Sequence, residues 1–557
     1  METKYFLSIS LLALILSGCN YLDYSERSFA EQEDIFSSYN QTTTFLTGAY
    51  SSLQDGFSDV GSAMLESATD NSAYAWNNTN IQNFYNGVWS PVNTIAESWS
   101  PCYTGIHRAN MFLLHAKDEV LDEFKWTGDG YQTKLKKWAI YRYEARFLRA
   151  FYHFELAKRY GDIPLVTTVL TSEEANNSTR ESFDNVMEWI AQECTEIAPN
   201  LPVSFTSVPD QETGRVTRGA ALALKARALL YSASPLHNPA GAPDYQQKWE
   251  NAAKAAHDLI AAGLYNNSLP TWENVFNVWR AANTELIFEC RMPNSRTFEL
   301  ANTSIGFEGG NSGNCPTQNL VDAFEMKSTG KGILEDGSGY DQDNPYADRD
   351  PRLAKTVLYN GSTWKGRTMD ISYNGIDGLP KVGASPTGYY LRKYLVESTV
   401  ISPPNMNQTE HCWIYFRYAE VLLNYAEAMN EAYGPNTTGE FTLTALDAVN
   451  YVRKRTGIDM PPYPAEITQS EFREKIRNER RVELAFEGHR MWDLRRWKQG
   501  EQTRNIYGMS IVNQESTITY TPVQIQTRQW DDKMYFFPIP QTEIYNTGGS
   551  LIQNPGW

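Results

Sequence analysis

The sequence has no surplus of basic residues: 49 Lys and Arg stand against 66 Asp and Glu, giving a formal charge of −17. A partner held through phosphate contacts needs the opposite balance, which argues against nucleic acid. Metal-ligand spacing is missing too. The seven histidines are scattered, and neither HExxH nor CxxC occurs, so no metal site and no cofactor is expected. No nucleophile elbow supports covalent catalysis. Cysteine is scarce. Beyond Cys19 there are Cys102, Cys194, Cys290, Cys315 and Cys412, an odd set that leaves at least one thiol unpaired. They are expected to act as small buried hydrophobes. Long apolar runs are absent as well. The strongest, Tyr5 to Leu16, falls short of the roughly 20 residues of a membrane-spanning helix and has the length of a secretory h-region.

The residues that end this run carry a motif. Leu16-Ser17-Gly18-Cys19 fits a bacterial lipobox, in which Cys19 carries the lipid and begins the mature chain. Residues 1–18 are thus expected as a lipoprotein signal peptide and 19–35 as a lipidated, polar tether. Two or more acyl chains give stable anchoring, so the protein is expected to be fastened to a membrane without crossing it.

Further on, helical periodicity dominates. KLKKWAIYRYEARFLRAFYHFELAKRYGDIPLV repeats apolar positions every three or four residues and stops at Gly161. In VTRGAALALKARALLYSASP, Ala220, Leu224 and Ala228 share one face, a stripe of small side chains that admits a close neighbour. YQQKWENAAKAAHDLIAAG, WIYFRYAEVLLNYAEAMNEAYG and LTALDAVNYVRKRTG add three more helices. Such pairs resemble degenerate tetratricopeptide units. The expected fold class is all-α, with helical pairs forming a single-domain scaffold. Two regions interrupt it, 55–105 and 265–410, both rich in Gly, Asn and aromatic residues. Loops this long are functional or disordered, and their rings argue for order. The chain divides accordingly into an N-terminal helical part with the first loops, 36–264, and a C-terminal part, 265–557.

Several blocks together resemble the SusD/RagB family of outer-membrane nutrient-binding lipoproteins from Bacteroidetes. They are the lipobox, EARFLRAFYHFELAKRYGDIPLV, VTRGAALALKARALLY, RYAEVLLNYAEAMNE, IRNERRVELAFEGHRMWDLRRW and the closing FPIPQTEI…LIQNPGW. The resemblance spans nearly the whole mature chain. It implies a surface lipoprotein of the outer membrane that captures an oligosaccharide and delivers it to a SusC-like TonB-dependent transporter. RagB-like members imply a peptide ligand instead, and a lipid-anchored glycoside hydrolase is a third reading.

The stretch 476–500 carries seven Lys/Arg and four Asp/Glu, far from a phosphate-binding stripe. As one helix it would set acids and bases at i, i+3 and i+4, each pair contributing about 0.2–0.5 kcal/mol. It is expected as scaffold, with Trp492 and Trp497 packed.

A sugar offers C–H faces to flat rings and hydroxyl edges to Asp, Asn and Arg. ATDNSAYAWNNTN supplies Asp70, Asn71, Tyr74, Trp76 and Asn77, and FYNGVWSPVN adds Trp89 and Asn93. Family glycan contacts cluster in this segment, which implies Asp70, Trp89 and Asn93 as contacts, while Trp99, Tyr103 and Ile106 have helical spacing and are expected in the core. The second loop region offers Phe298, Phe307, Trp364, Tyr389, Tyr390 and Arg392. Of these, Phe307 and Arg392 are expected to complete the site. The turn Arg349–Leu353 is expected to start a helix.

Overall fold

Side-chain caps mark the start of some of the periodic segments that become helices. The computed structural model describes residues 32–205, 212–265, 269–276, 283–515 and 517–557. Cys19, the signal peptide 1–18 and most of the 19–35 tether lie outside the described residues. Helix α1 (Tyr39–Tyr50) starts at Ser38, whose side chain accepts from the Gln41 amide. After it come α2 (Trp99–His115) and α3 (Asp129–Tyr160). The latter stops at Gly161, where φ is +72°. Next are α4 (Phe183–Ile197), capped by Ser182, α5 (Arg218–Ala233), capped by Thr217, and α6 (Tyr245–Ala261). Beyond the loop insertion the chain forms α7 (Tyr418–Tyr433), α8 (Ala445–Arg453), α9 (Gln469–Glu483) and α10 (Arg490–Arg496). Thr444 with Asp447 and Thr468 with Glu471 form capping boxes at α8 and α9.

From α1 to α8 each helix packs on the next in sequence, as stacked helical pairs do. The close approaches come where small residues permit them. A Cβ on Gly105 of α2 would sit 2.4 Å from the Tyr152 ring of α3, and the Tyr152 hydroxyl donates to the Ala49 carbonyl at the end of α1. Ala220, Leu224 and Ala228 of α5 are fully buried, as are Ala252, Ala253 and Ala256 of α6. A single apolar cluster joins Leu46, Trp138, Leu224, Leu423, Phe486 and Ile539. The division at 264/265 therefore separates helices from a loop insertion within one core.

Strands occur as two-stranded ribbons: β1 (Ser72–Tyr74), β2 (Leu286–Arg291), β3 (Asn314–Pro316), β4 (Cys412–Arg417), β5 (Asn505–Gln514) and β6 (Thr517–Thr527). β1 pairs with β3, β2 with β4, and β5 with β6, all antiparallel. This corrects one boundary read from periodicity. The helix expected from Trp413 begins only at Tyr418, because Cys412–Arg417 is a strand buried along its whole length. A short continuous apolar run does not distinguish strand from helix, and the partner strand decides.

The 476–500 stretch also differs in detail from a single helix. α9 ends at Glu483, Phe486 and Gly488 take φ of +61° and +76°, and α10 starts at Arg490. Its charges mostly pair across elements rather than along one face. Glu483 holds Arg352 (2.9 Å), Arg417 (2.9 Å) and Arg455 (2.7 Å), all buried. Glu285 bridges Arg417 and Arg455, Glu479 bridges Arg352 and Arg453, and Glu487 bridges Arg417 and Lys393. The block is scaffold, acting as the charged keystone between α8, α9, β4 and the turn before Pro351. That turn behaves as expected: Asp350 caps the helix Pro351–Thr356.

Candidate functional site

The two aromatic loop regions meet. β1 and β3 pair Tyr74 with Asn314, and the Asn314 carboxamide accepts from the Met64 amide and donates to Asn302. Beside this junction Trp76 is half-buried, and its indole N–H donates to the Asn311 carbonyl (2.8 Å). Gly383, at φ +81°, lies against the ring: a Cβ there would come within 2.7 Å of it. The Trp76 carbonyl accepts from Gln82 Nε2, and Thr79 and Gln82 form a capping box that starts the 3-10 helix Asn80–Phe84. The Trp76 carbonyl is thus tied to the asparagine-rich turn through Gln82, and its indole to the second loop region through Asn311.

The far side of that turn opens on a polar cleft of about 470 Å³. Asn80, Asn83 and Asn93 line it together with Asp55, Asp59 and Glu97. Arg159 also reaches it but is paired with Glu155 at 2.6 Å. Burial pushes the Asp59 carboxyl up to about 7, even though it accepts from the Leu65 amide (3.1 Å). Among the described residues no group of three or more His, Cys, Asp or Glu is placed to hold a metal ion. The amides and carboxyls of its lining are hydrogen-bond donors and acceptors of the kind that grip hydroxyls.

The Asp59 shift has a consequence for stability. A folded pKa near 7 against an unfolded value near 4 means the folded chain binds the extra proton between those pH values. Stability then declines as pH rises through that window and is flat above it. Asp59→Asn removes the cost of charging a shielded carboxylate. It should raise the melting temperature at pH 8, by the equivalent of about 1–3 kcal/mol. That gain should shrink as pH is lowered toward 4, which thermal denaturation at several pH values would read.

The residues singled out from sequence fall into two groups. Trp76 and Asn93 reach the surface: Trp76 is half-buried, four residues before Asn80 and outside the cleft lining, while Asn93 is exposed, lines the cleft and donates to the Val88 carbonyl. Asn77 is exposed beside Trp76. Phe307 is half-buried, with the Arg367 guanidinium 3.9 Å above its ring, and Arg367 in turn is clamped to buried Asp377 (2.6 and 2.7 Å). One face of the Phe307 ring is therefore already taken by a cation.

The others are corrections. Trp89 is only 5% exposed, edge-on to Phe84, Phe537 and Trp557 at 4.8–4.9 Å, so it is a core ring. Asp70 is 3% exposed. Arg490 donates to both its oxygens (2.9 and 2.8 Å) and Arg481 lies 2.8 Å away. Burial alone would raise this carboxyl, but Arg481 and Arg490 hold it down at about 2. It ties the first loop region to α9 and α10 and has no oxygen left for a ligand. Tyr74 is buried within β1, and Asn71 is buried between Glu66 and Arg481. Phe298, Trp364, Tyr389 and Tyr390 are also buried. Arg392 is half-buried and donates to the Ala354 carbonyl. It lines a different cavity of about 600 Å³ with Trp272, Trp364 and Lys355, so it does not complete the Trp76 site. Trp99 and Ile106 are core, as their spacing implies; Tyr103 is half-buried, its hydroxyl donating to the Pro164 carbonyl.

Sequence reasoning missed Asp55, Asp59, Asn80, Asn83 and Glu97. Their signal is weak: short polar residues, with nothing in their spacing to say that three separate segments converge.

This is the architecture of a helical scaffold carrying a loop-lined polar cleft, and comparison with known proteins defines it further. A family model described as "SusD family" matches residues 284–557, and one described as "Starch-binding associating with outer membrane" matches residues 20–230. The chain is 22% identical to the SusD-like protein P25 of Formosa agariphila, covering 86% of each chain. It is 24% identical to that organism's SusD-like protein P38, covering 88% of this chain and 92% of the relative. Among solved structures, a SusD-like protein from Bacteroides fragilis superposes with a TM-score of 0.75 at 26% identity, covering 95% of this chain and 99% of the other. A SusD-like carbohydrate binding protein from the same species gives 0.74 at 29%, covering 92% and 99%. The chain belongs to the SusD/RagB family, and with it to the outer membrane. No helix among the described residues is long and apolar enough to cross a membrane.

Proposed function

We propose that this protein is a non-enzymatic oligosaccharide-binding lipoprotein, anchored through Cys19 at the cell surface. It grips its ligand between Trp76 and the neighbouring polar cleft and hands it to a SusC-like TonB-dependent transporter. The observation that carries the reading is the pairing of a half-exposed, backbone-fixed indole with the turn that presents Asn80 and Asn83. A flat ring covers the C–H face of a sugar at low entropic cost, and the amides take its hydroxyls. The starch-binding description of the matching family model and the carbohydrate-binding name of one structural relative point the same way. Three carboxyls and one paired arginine around the cleft favour an uncharged glycan over a uronate or sulfate ester.

Calorimetric titration with a panel of neutral, uronic and sulfated oligosaccharides, together with short peptides, tests this. Saturable binding of a neutral glycan without released product is expected, weaker or absent for the anionic ones. Trp76→Ala should weaken it about tenfold, equivalent to about 1.4 kcal/mol, with the melting temperature nearly unchanged. Released sugars would make the protein a hydrolase, binding of peptides alone would favour the RagB-like reading, and unchanged affinity in Trp76→Ala would move the site elsewhere.

A further inference from the structure

One large ring on the surface belongs to no cleft. Trp126 is 94% exposed. It stands on a tight turn in which the Lys125 amide donates to Asp122 and the Thr127 amide and hydroxyl both donate to the Phe124 carbonyl. Directly beneath, Phe124 packs edge-on against Tyr39 at 5.6 Å, and the Lys134 ammonium lies 4.2 Å from both rings. The turn is therefore rigidly mounted and holds the indole clear of the body, open to an apolar layer lying alongside.

The position of the chain's beginning says what covers it. Tyr39 is the first residue of α1, and Phe36, three residues earlier, contacts His115 at the end of α2 at 5.2 Å. The first described residues thus run along the same end of the molecule as the Trp126 turn. From Cys19 to Gln32 there are only thirteen residue steps, which span at most roughly 45 Å when fully extended. An anchor at Cys19 confines this end of the body close to the bilayer. Leu114 and Leu135, from the last turn of α2 and an early turn of α3, are exposed at this end as well. Around them Asp118, Glu119, Asp122, Glu123 and Asp129 are exposed together with Lys117, Lys125 and Lys136, and Asp118 and Asp122 pair with Arg142 and Lys125; charges of both signs stay hydrated there. An apolar ring with a polar edge, ringed by charges that resist burial, matches the headgroup level of a membrane, where tryptophan concentrates.

We infer that Trp126 is a membrane-contact residue: it seats in the headgroup layer of the lipid surface that holds the tether and, with that tether, fixes the orientation of the body over the membrane. This rests on the anchoring at Cys19 proposed above.

The full chain carrying Trp126→Cys, labelled with an environment-sensitive dye, tests the proposal. Four of the five cysteines among the described residues are buried and Cys290 is half-buried, so the new thiol labels selectively against an unmutated control. The protein is held on phosphatidylcholine vesicles through its N terminus, by its own acyl chains or by a histidine tag on nickel-chelating lipid in their place. The second arrangement separates failure of this inference from failure of the anchoring. A dye at Leu334→Cys, another fully exposed site at 91%, serves as reference. Expected are a blue-shifted emission and several-fold stronger quenching by headgroup-labelled lipid at 126 than at 334. Equal quenching at the two positions overturns the inference. So does shielding at 126 that arises only when the transporter is reconstituted alongside, which would assign the ring to a protein surface.

Discussion

Replacing Glu483 by alanine is expected to destabilise the fold by about 3–5 kcal/mol, the cost of leaving buried charges uncompensated. Glu483 is fully buried and touches three guanidinium groups, those of Arg352, Arg417 and Arg455. Removing it leaves Arg455 with Glu285 alone and strips Arg417 of one of three acids. Burial by itself raises the Glu483 carboxyl, but Arg455, Arg417 and Arg352 together hold it far below the ordinary carboxylate range. Linkage gives the sign: with a folded pKa below the unfolded one, the stabilisation is complete above the ordinary glutamate value. It is lost as pH falls below that value toward the folded pKa. Denaturant titration should therefore show a large loss for Glu483→Ala at pH 7 and a smaller difference from the parent in strong acid. A loss under about 1 kcal/mol at pH 7, the range of an exposed pair, would show that water reaches the cluster.

The second large effect separates two tryptophans that sequence alone treats alike. Trp89→Ala is expected to cost about 3–5 kcal/mol, because it empties a site enclosed by Phe84, Phe537 and Trp557. Phe537 and Trp557 come from the last segment of the chain, so that segment should become the first to exchange its amides and the first to be nicked by protease. Its glycan affinity, measured below the lowered melting point, should match that of the parent. Trp76→Ala should show the reverse pattern, intact stability and weakened binding. If Trp89→Ala keeps the parental melting temperature, the ring is not packed as described.

Particular residues show why the site was only half legible. Trp76 and Trp89 occupy similar local contexts, each amid short polar residues in the first loop region. What makes one a surface ring and the other a core ring lies more than 200 residues away: Asn311 and Gly383 beside Trp76, and Phe537 and Trp557 around Trp89. Asp70 misled for a similar reason. A lone aspartate in a polar loop reads as a ligand for hydroxyls, and only α9 and α10 supply the two arginines that take up its charge. The 476–500 stretch was legible in kind but not in strength. Local spacing suggests weak pairs along one helix, whereas the actual partners arrive from β4, α8 and the turn at Asp350.

Local order along the chain was enough for whatever depends on neighbours a few residues apart. Helix faces follow from 3.6-residue periodicity, the end of α3 from Gly161, and the small-residue face of α5 from Ala220, Leu224 and Ala228. Family membership was legible for the same reason, since its distinctive blocks are contiguous. Which rings and carboxylates face water was set by long-range packing alone. Exposure is a property of whatever packs on a residue from elsewhere in the chain, and no periodicity within a loop encodes it.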